Sequence, residues 1–250
     1  MKPRTAAIML ICFTAIAIAA VMFVRRASRR PEAVMIDRNV YSVTGIDISA
    51  HNGHVDFDSV ASDGVDFVYI KASEGANWRD KEFEHNYRAA IEAGLLVGVY
   101  HYFRFDVEGW RQSVNLLRAI NHRPLDMPVA IDVEEWGNSN NYSTDEIVRN
   151  LQSMIELLRQ GGYQAIIYTN KSGYHRFVRG RLDDVPLWIC SFTSPAMVEN
   201  ERWTFWQYSH CGHVAGVRGK VDLNTYNSVA RGSFDGYLST YPSISTAPLR

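Results

Sequence analysis

Val129-Ala130-Ile131-Asp132-Val133-Glu134 alternates aliphatic side chains with small or acidic ones, and its reading decides how the rest of the chain is understood. Alternation with a period of two marks a strand, because successive side chains point to opposite sides of it. Ile131 and Val133 then share one face, and Asp132 and Glu134 the other. The two acids are expected two strand steps apart, each step about 3.3 Å. Carboxylates held this close in a partly desolvated cleft do not both ionise freely, so one is expected to keep its proton and serve as an acid. Taken alone, an Asp-x-Glu strand is more often a structural or solvent-facing pair, so the weight of the reading rests on the neighbouring runs.

Outward from this run lie others of the same kind: Gly45-Ile46-Asp47-Ile48, Phe67 to Lys71, Val97 to Tyr102, Ala165 to Tyr168, Leu187 to Cys190, Thr204 to Tyr208 and Val221 to Asn224. Eight strands are expected in all. Between them, Asp80 to Ala93 reads as a helix closing at Gly94. Thr144 to Gln160 reads as another, opened by Ser143 three residues before Glu146 and closed by Gly161-Gly162. The connections Ser191 to Arg202 and Ser209 to Lys220 are too short or irregular to read as helices. Strands alternating with helices imply an α/β fold with a mainly parallel sheet. Eight strands in this length imply a closed, irregular TIM-like barrel with fewer than eight helices.

In such a barrel the polar residues at the carboxyl ends of strands face the active site. Asp47, Asp132, Glu134 and Asp222 are therefore expected to converge on one mouth, joined by Lys71 and Glu74 at the second strand and by Tyr100 and Tyr102 at the third. A purely stabilising role fits such a cluster poorly, because each buried acid costs desolvation energy. Paired carboxylates in separate roles are the apparatus of glycoside hydrolysis. Tyr168, Trp188 and Gln207 lie in the same strands, and flat rings suit the apolar faces of sugars. Trp206 reads as core.

These residues also match a family pattern. Gly45 to Ser49, Phe67 to Gly75, Gly98 to Phe103, Pro128 to Glu134, Phe205 to Tyr208 and Gly219 to Asn224 closely resemble the glycoside hydrolase family 25 muramidases, in the family's order and over about residues 44–230. The resemblance implies a lysozyme-type β-1,4-N-acetylmuramidase that cleaves peptidoglycan between N-acetylmuramic acid and N-acetylglucosamine, without a cofactor and as a monomer. It implies Glu134 as general acid, and Asp132 either as nucleophile or as the group that orients the substrate's own N-acetyl group. Asp47 and Asp222 would be supporting acids, with Lys71, Glu74, Tyr100, Tyr102, Tyr168, Trp188 and Gln207 binding the glycan. Spacing leaves retention and inversion open, since the backbone separation falls near the boundary between the two; substrate-assisted retention is the preferred reading. Ser73 replaces a frequent Thr, Cys190 and Phe192 replace frequent Ala and Tyr, and Ala50-His51-Asn52 is a variable stretch.

Two rivals stand beside this reading. One is a metal-dependent hydrolase using His51, His54, His101 and Asp47, although His101 lies on the face opposite Tyr100 and Tyr102. The other is a catalytically silent glycan-binding module, which has no need of four clustered acids.

The net charge of −1 conceals two opposed parts. The first thirty residues carry Lys2, Arg4, Arg25, Arg26, Arg29 and Arg30 and no acid, which leaves 20 basic against 27 acidic residues in the remainder, a net of −7. An acidic body repels a phosphate backbone, so nucleic acid is not an expected partner. Thr5 to Val24 is free of charge and matches the ~20 residues that span a bilayer. It reads as an uncleaved anchor in preference to a cleaved signal peptide with Ala17-Ile18-Ala19 as its cleavage site. Cys12 follows Ile11, so no lipoprotein site is read there. The basic residues after the stretch favour a cytoplasmic body. The location of peptidoglycan outweighs them and expects a membrane-tethered domain facing the periplasm or exterior, or a secreted one if the leader is cleaved. Residues 1–30 form this leader, 31–42 a polar linker, 43–236 the barrel and 237–250 a Ser/Thr/Pro-rich tail. Cys190 and Cys211 are either a disulfide of an exported domain or two thiols; no zinc-type spacing is present.

Overall fold

The computed structural model describes residue 34 and residues 36–194 and 202–241. The chain divides into two units, Met1–Ala33 and Val34–Arg250. The apolar stretch from Thr5 to Val24, Cys12 and tail residues 242–250 lie outside the described residues, among which no helix is long and apolar enough to cross a membrane.

Eight strands close a barrel: β1 (Thr44–Ile48), β2 (Phe67–Glu74), β4 (Leu96–Tyr102), β5 (Val129–Asp132), β6 (Ala165–Asn170), β7 (Leu187–Cys190), β8 (Trp203–Gly212) and β9 (Val221–Tyr226). Their order is β1-β9-β8-β7-β6-β5-β4-β2, with β1 and β2 pairing to complete the circle. Six junctions are parallel, and β9 runs antiparallel to both of its neighbours. The described residues include seven α-helical segments: α1 (Phe57–Ser62), α2 (Phe83–Glu92), α3 (Gly109–Ile120), α4 (Thr144–Gln160), α5 (Lys171–Gly173), α6 (Ser228–Arg231) and α7 (Phe234–Leu238). The irregular α/β barrel expected from the sequence is thus the fold.

Pleating sorts the side chains into two cores. Outward-facing Ile46, Val68, Ile70, Val97, Val99, Ile131 and Ile167 are buried under the helices. Inward-facing Phe67, Tyr69, Trp188, Phe205 and Tyr226 fill the lower barrel, where Phe234 of α7 closes the floor. Room for the Tyr69 ring comes from Gly98, its direct partner on β4, where a Cβ would stand 2.5 Å from the ring. Above this aromatic layer the inward positions turn polar, as strands with one face on a packed core and one on a cavity require.

Several expectations are corrected. The ladder of β5 stops at Asp132; Val133 N still donates to Tyr168 O, and Glu134 lies in the loop beyond. The helix expected from Asp80 starts at Phe83, because the Asp80 carboxylate instead accepts from Ala50 N and Glu82 N, both at 2.9 Å. Helix α3 went unread because its buried face includes Gln112, Ser113 and Asn115, which erases the apolar 3.6-residue pattern. β3 (Trp78–Arg79), a two-residue arm on β2, is too short to carry a periodicity. The connection after Ser209 is not a loop throughout, since β8 continues to Gly212. Helix α7 runs past Gly236 to Leu238, into the stretch expected as tail from residue 237, and Val34, Ile36 and Tyr41 of the linker stretch pack on the core.

Candidate active site

A cavity of about 470 Å³ opens at the carboxyl ends of the parallel strands. Asp47, Lys71, Glu74, Tyr100, Tyr102, Asp132, Glu134, Tyr168, Trp188, Gln207 and Asp222, every residue singled out from the sequence, line it. Together they come from all eight barrel strands or from just past them, and β9, running the other way, brings Asp222 to the same rim by its amino-terminal end.

Asp47 is the best-solvated by protein. Its Oδ2 accepts from Gln207 Nε2 at 2.9 Å and from Asn224 Nδ2 at 2.8 Å. Those amides are themselves oriented: Tyr168 donates to Gln207 Oε1 at 2.8 Å, and Trp188 Nε1 donates to Asn224 Oδ1 at 2.9 Å. An indole N–H only donates, so Asn224 must present its amide nitrogen to Asp47. Asp222 faces Asp47 across the ladder and shares a hydrogen bond with it. Burial raises Asp47, against the hydrogen bonds from Asn224, Gln207 and Asp222. Burial, and then the Asp47 charge, push Asp222 up to about 8, so Asp222 is the donor in the hydrogen bond the two share.

Asp132 is 9 % exposed. Burial and the nearby Glu134 hold its carboxyl well above the usual range, against the pull of Lys71. Its Oδ1 is buried without a hydrogen-bond partner among the described residues. A buried acceptor left empty costs about 1–3 kcal/mol, which a ligand's donor recovers. Glu134 is raised by burial and by Asp47, while a hydrogen bond from Asn170 opposes them. Asn170 Oδ1 accepts from Gly173 N at 3.0 Å as the cap of α5, leaving its nitrogen for Glu134. Lys71 Nζ pairs with Glu74 at 3.0 Å and lies 5.2 Å from the Tyr102 ring centre, while Arg104 Nη1 stands 3.8 Å from the same carboxylate.

The sequence reading did not single out Arg104, Trp136, Gly137, Asn170 and Asn224. Asn170 and Asn224 end or lie in strands and obey the rule that found the acids; Trp136 and Gly137 sit in a loop without periodicity. His101 faces outward as expected, fully buried between Ser73 Oγ (2.8 Å from Nδ1) and Gln112 Oε1 (3.1 Å from Nε2), so both ring nitrogens are already used. Among the described residues no group of three or more His, Cys, Asp or Glu is placed to hold a metal. Cys190 and Cys211 are free thiols. Burial pushes the Cys190 thiol up to about 12, against a hydrogen bond with Tyr168.

Residues 46–217, most of the barrel and all but one of its clustered acids, match the model described as glycosyl hydrolases family 25. The chain belongs to that family. This family 25 enzyme is 32 % identical over 210 residues to the uncharacterized protein YegX of Escherichia coli, covering 80 % of this chain and 76 % of the relative. It is 33 % identical over 183 residues to the autolytic lysozyme of Clostridium acetobutylicum, covering 73 % of this chain and 55 % of that protein. The structure of a family 25 glycosyl hydrolase from Bacillus anthracis superposes with a TM-score of 0.75 at 27 % identity, over 83 % of this chain and 96 % of that one.

Proposed function

We propose that this family 25 glycoside hydrolase is a β-1,4-N-acetylmuramidase acting on peptidoglycan, with Glu134 as general acid and Asp132 as the partner of the substrate's N-acetyl group. The unpartnered, buried Asp132 Oδ1 carries the reading, because an acetamido N–H is the donor that a sugar of this class offers. The likeness to the autolytic lysozyme supports the substrate class.

In this mechanism Glu134 gives its proton to the glycosidic oxygen as the C1–O bond breaks. The acetamido oxygen closes on C1 while Asp132 Oδ1 accepts the N–H, which orients the group for the attack. Water then adds at C1, returning its proton to Glu134, and the product keeps the β configuration. Burial, and then the Asp47 carboxylate held by its amide donors, raise Glu134, in the direction a general acid needs. The substrate lies outside the cytoplasmic membrane, so the barrel works on that side, as a tethered or a secreted domain.

Release of reducing ends from purified peptidoglycan by wild type and by Glu134→Gln tests the reading. The expected result is cutting by wild type and a loss of about 10²–10⁴-fold in the variant with binding retained. Equal binding with no cutting by either protein overturns it, and an α-anomer as first product overturns substrate-assisted retention.

A further inference from the structure

The loop after Glu134 is fixed from both sides. Tyr102 donates its hydroxyl to Trp136 O, and Arg104 Nη1 donates to Gly137 O at 2.8 Å. Asn138 donates to Glu134 O at 2.9 Å and Phe103 O at 3.0 Å while accepting from Phe105 N at 2.9 Å. On the other flank Glu135 pairs with Arg176 at 2.6 Å and accepts from Ser172 Oγ at 3.0 Å. Gly137 turns with a φ of 75°, and a Cβ there would stand 2.7 Å from the Tyr102 hydroxyl. Any larger residue strains this turn.

At the apex of this pinned backbone the Trp136 indole is 80 % exposed and borders the cleft. The strand tryptophans Trp188, Trp203 and Trp206 are 4 % exposed or less. A large apolar ring kept in water on a backbone with so many anchors is poorly explained by stability, since it buries little and its loop is held without it. It is well explained by binding, because a rigid flat face loses little freedom when a ligand stacks on it. The other exposed indoles differ: Trp78 already lies over Lys71 Nζ at 4.7 Å, and Trp110, on the first turn of α3, is outside the cleft lining.

We propose that Trp136 is a stacking platform for an N-acetylhexosamine ring beyond the two sugars joined by the scissile bond. It gives the enzyme a preference for long glycan strands over short oligosaccharides. This rests on the muramidase reading of the same cleft.

Kinetics on long soluble glycan strands and on the disaccharide N-acetylmuramyl-β-1,4-N-acetylglucosamine, which holds only the two sugars of the scissile bond, test the proposal with Trp136→Ala, Trp136→Phe and Trp110→Ala. The expected result for Trp136→Ala is a loss of about tenfold in kcat/KM on long strands, carried by KM, and a much smaller loss on the disaccharide. Trp136→Phe recovers most of the loss, and Trp110→Ala behaves as wild type. An equal loss on both substrates, or none on long strands, overturns the platform. A second measurement titrates long strands into Glu134→Gln and follows indole fluorescence, which shifts more in that protein than in Glu134→Gln/Trp136→Phe, where Trp188 still lines the cleft. If wild type cuts neither substrate, the muramidase reading fails, and the titration still decides the platform: no difference between the two proteins overturns it.

Discussion

Asp47 on β1 and Asp222 on β9 are direct partners across an antiparallel ladder, and their carboxyl groups share a hydrogen bond. The usual Asp value is 3.8 and burial takes Asp222 to about 8. Between those limits the unfolded chain has released a proton that the folded chain retains, so the stability contributed by this group is full below about 4 and is lost as pH rises through 8. Asp222→Asn keeps a donor to Asp47 and removes the titration. Its melting temperature is expected to exceed that of wild type at pH 8, by about 2–4 °C for each kcal/mol relieved, with the gap closing toward pH 4. Calorimetry at the two pH values checks this, and a gap that widens in acid contradicts it.

His101 has the opposite sign. Burial, only partly offset by the Gln112 hydrogen bond, lowers it from 6.5 to about 4. As pH falls through that window the unfolded chain takes up a proton that the folded chain refuses, so stability is present above 6.5 and is lost toward 4. His101→Gln retains a donor and an acceptor for Gln112 and Ser73 without titrating. Urea midpoints measured at pH 7 and pH 4.5 are expected to differ less in the variant than in wild type, and an identical drop in both would place the acid sensitivity elsewhere.

Asn170 tunes the acid rather than the fold. Its amide lowers Glu134, against burial and Asp47, which raise it. Asn170→Ser keeps an oxygen to cap α5 but withdraws the donor from Glu134. The high-pH limb of kcat/KM is expected to move upward, by roughly half to one pH unit for a hydrogen bond worth ~1 kcal/mol. A pH profile that keeps its alkaline limb rules out the contact as a control on Glu134.

Gly98→Ala places a methyl group 2.5 Å from the Tyr69 ring, which packs tilted against Trp188 at 4.5 Å between centroids. Overpacking of this kind costs about 1–3 kcal/mol. The strain is expected to reach Trp188, and through Asn224 to Asp47, lowering melting temperature and activity together. A variant that melts lower with full kcat would show that the aromatic floor and the cleft are mechanically separate.

Most of the barrel is legible in the sequence because its strands are short apolar runs with polar residues at one end, and that pattern also exposes the four acids. The misses have physical causes. Helix α3 buries amides and a serine, so its inner face does not read as apolar. Glu134 continues the alternation of Asp132, yet the ladder ends before it, because hydrogen bonding between strands leaves no trace in side-chain type. The partners that set each carboxyl's proton, Asn170 and Asn224, are neutral residues whose role depends on which oxygen they meet across the barrel.

The closing strand β9 has a consequence for timing. Asp47 takes its two amide donors from residues 160 and 177 positions later in the chain. At about 5–20 residues per second of synthesis, its surroundings stay incomplete for on the order of ten seconds or more after it is made. Throughout that interval Asp132 and Glu134 can already exist on a growing polypeptide, but the Asp47 carboxylate, which together with burial raises Glu134, has no fixed place. Competence therefore comes with the last strand to emerge, and a chain interrupted before β9 is a hydrolase that never switches on.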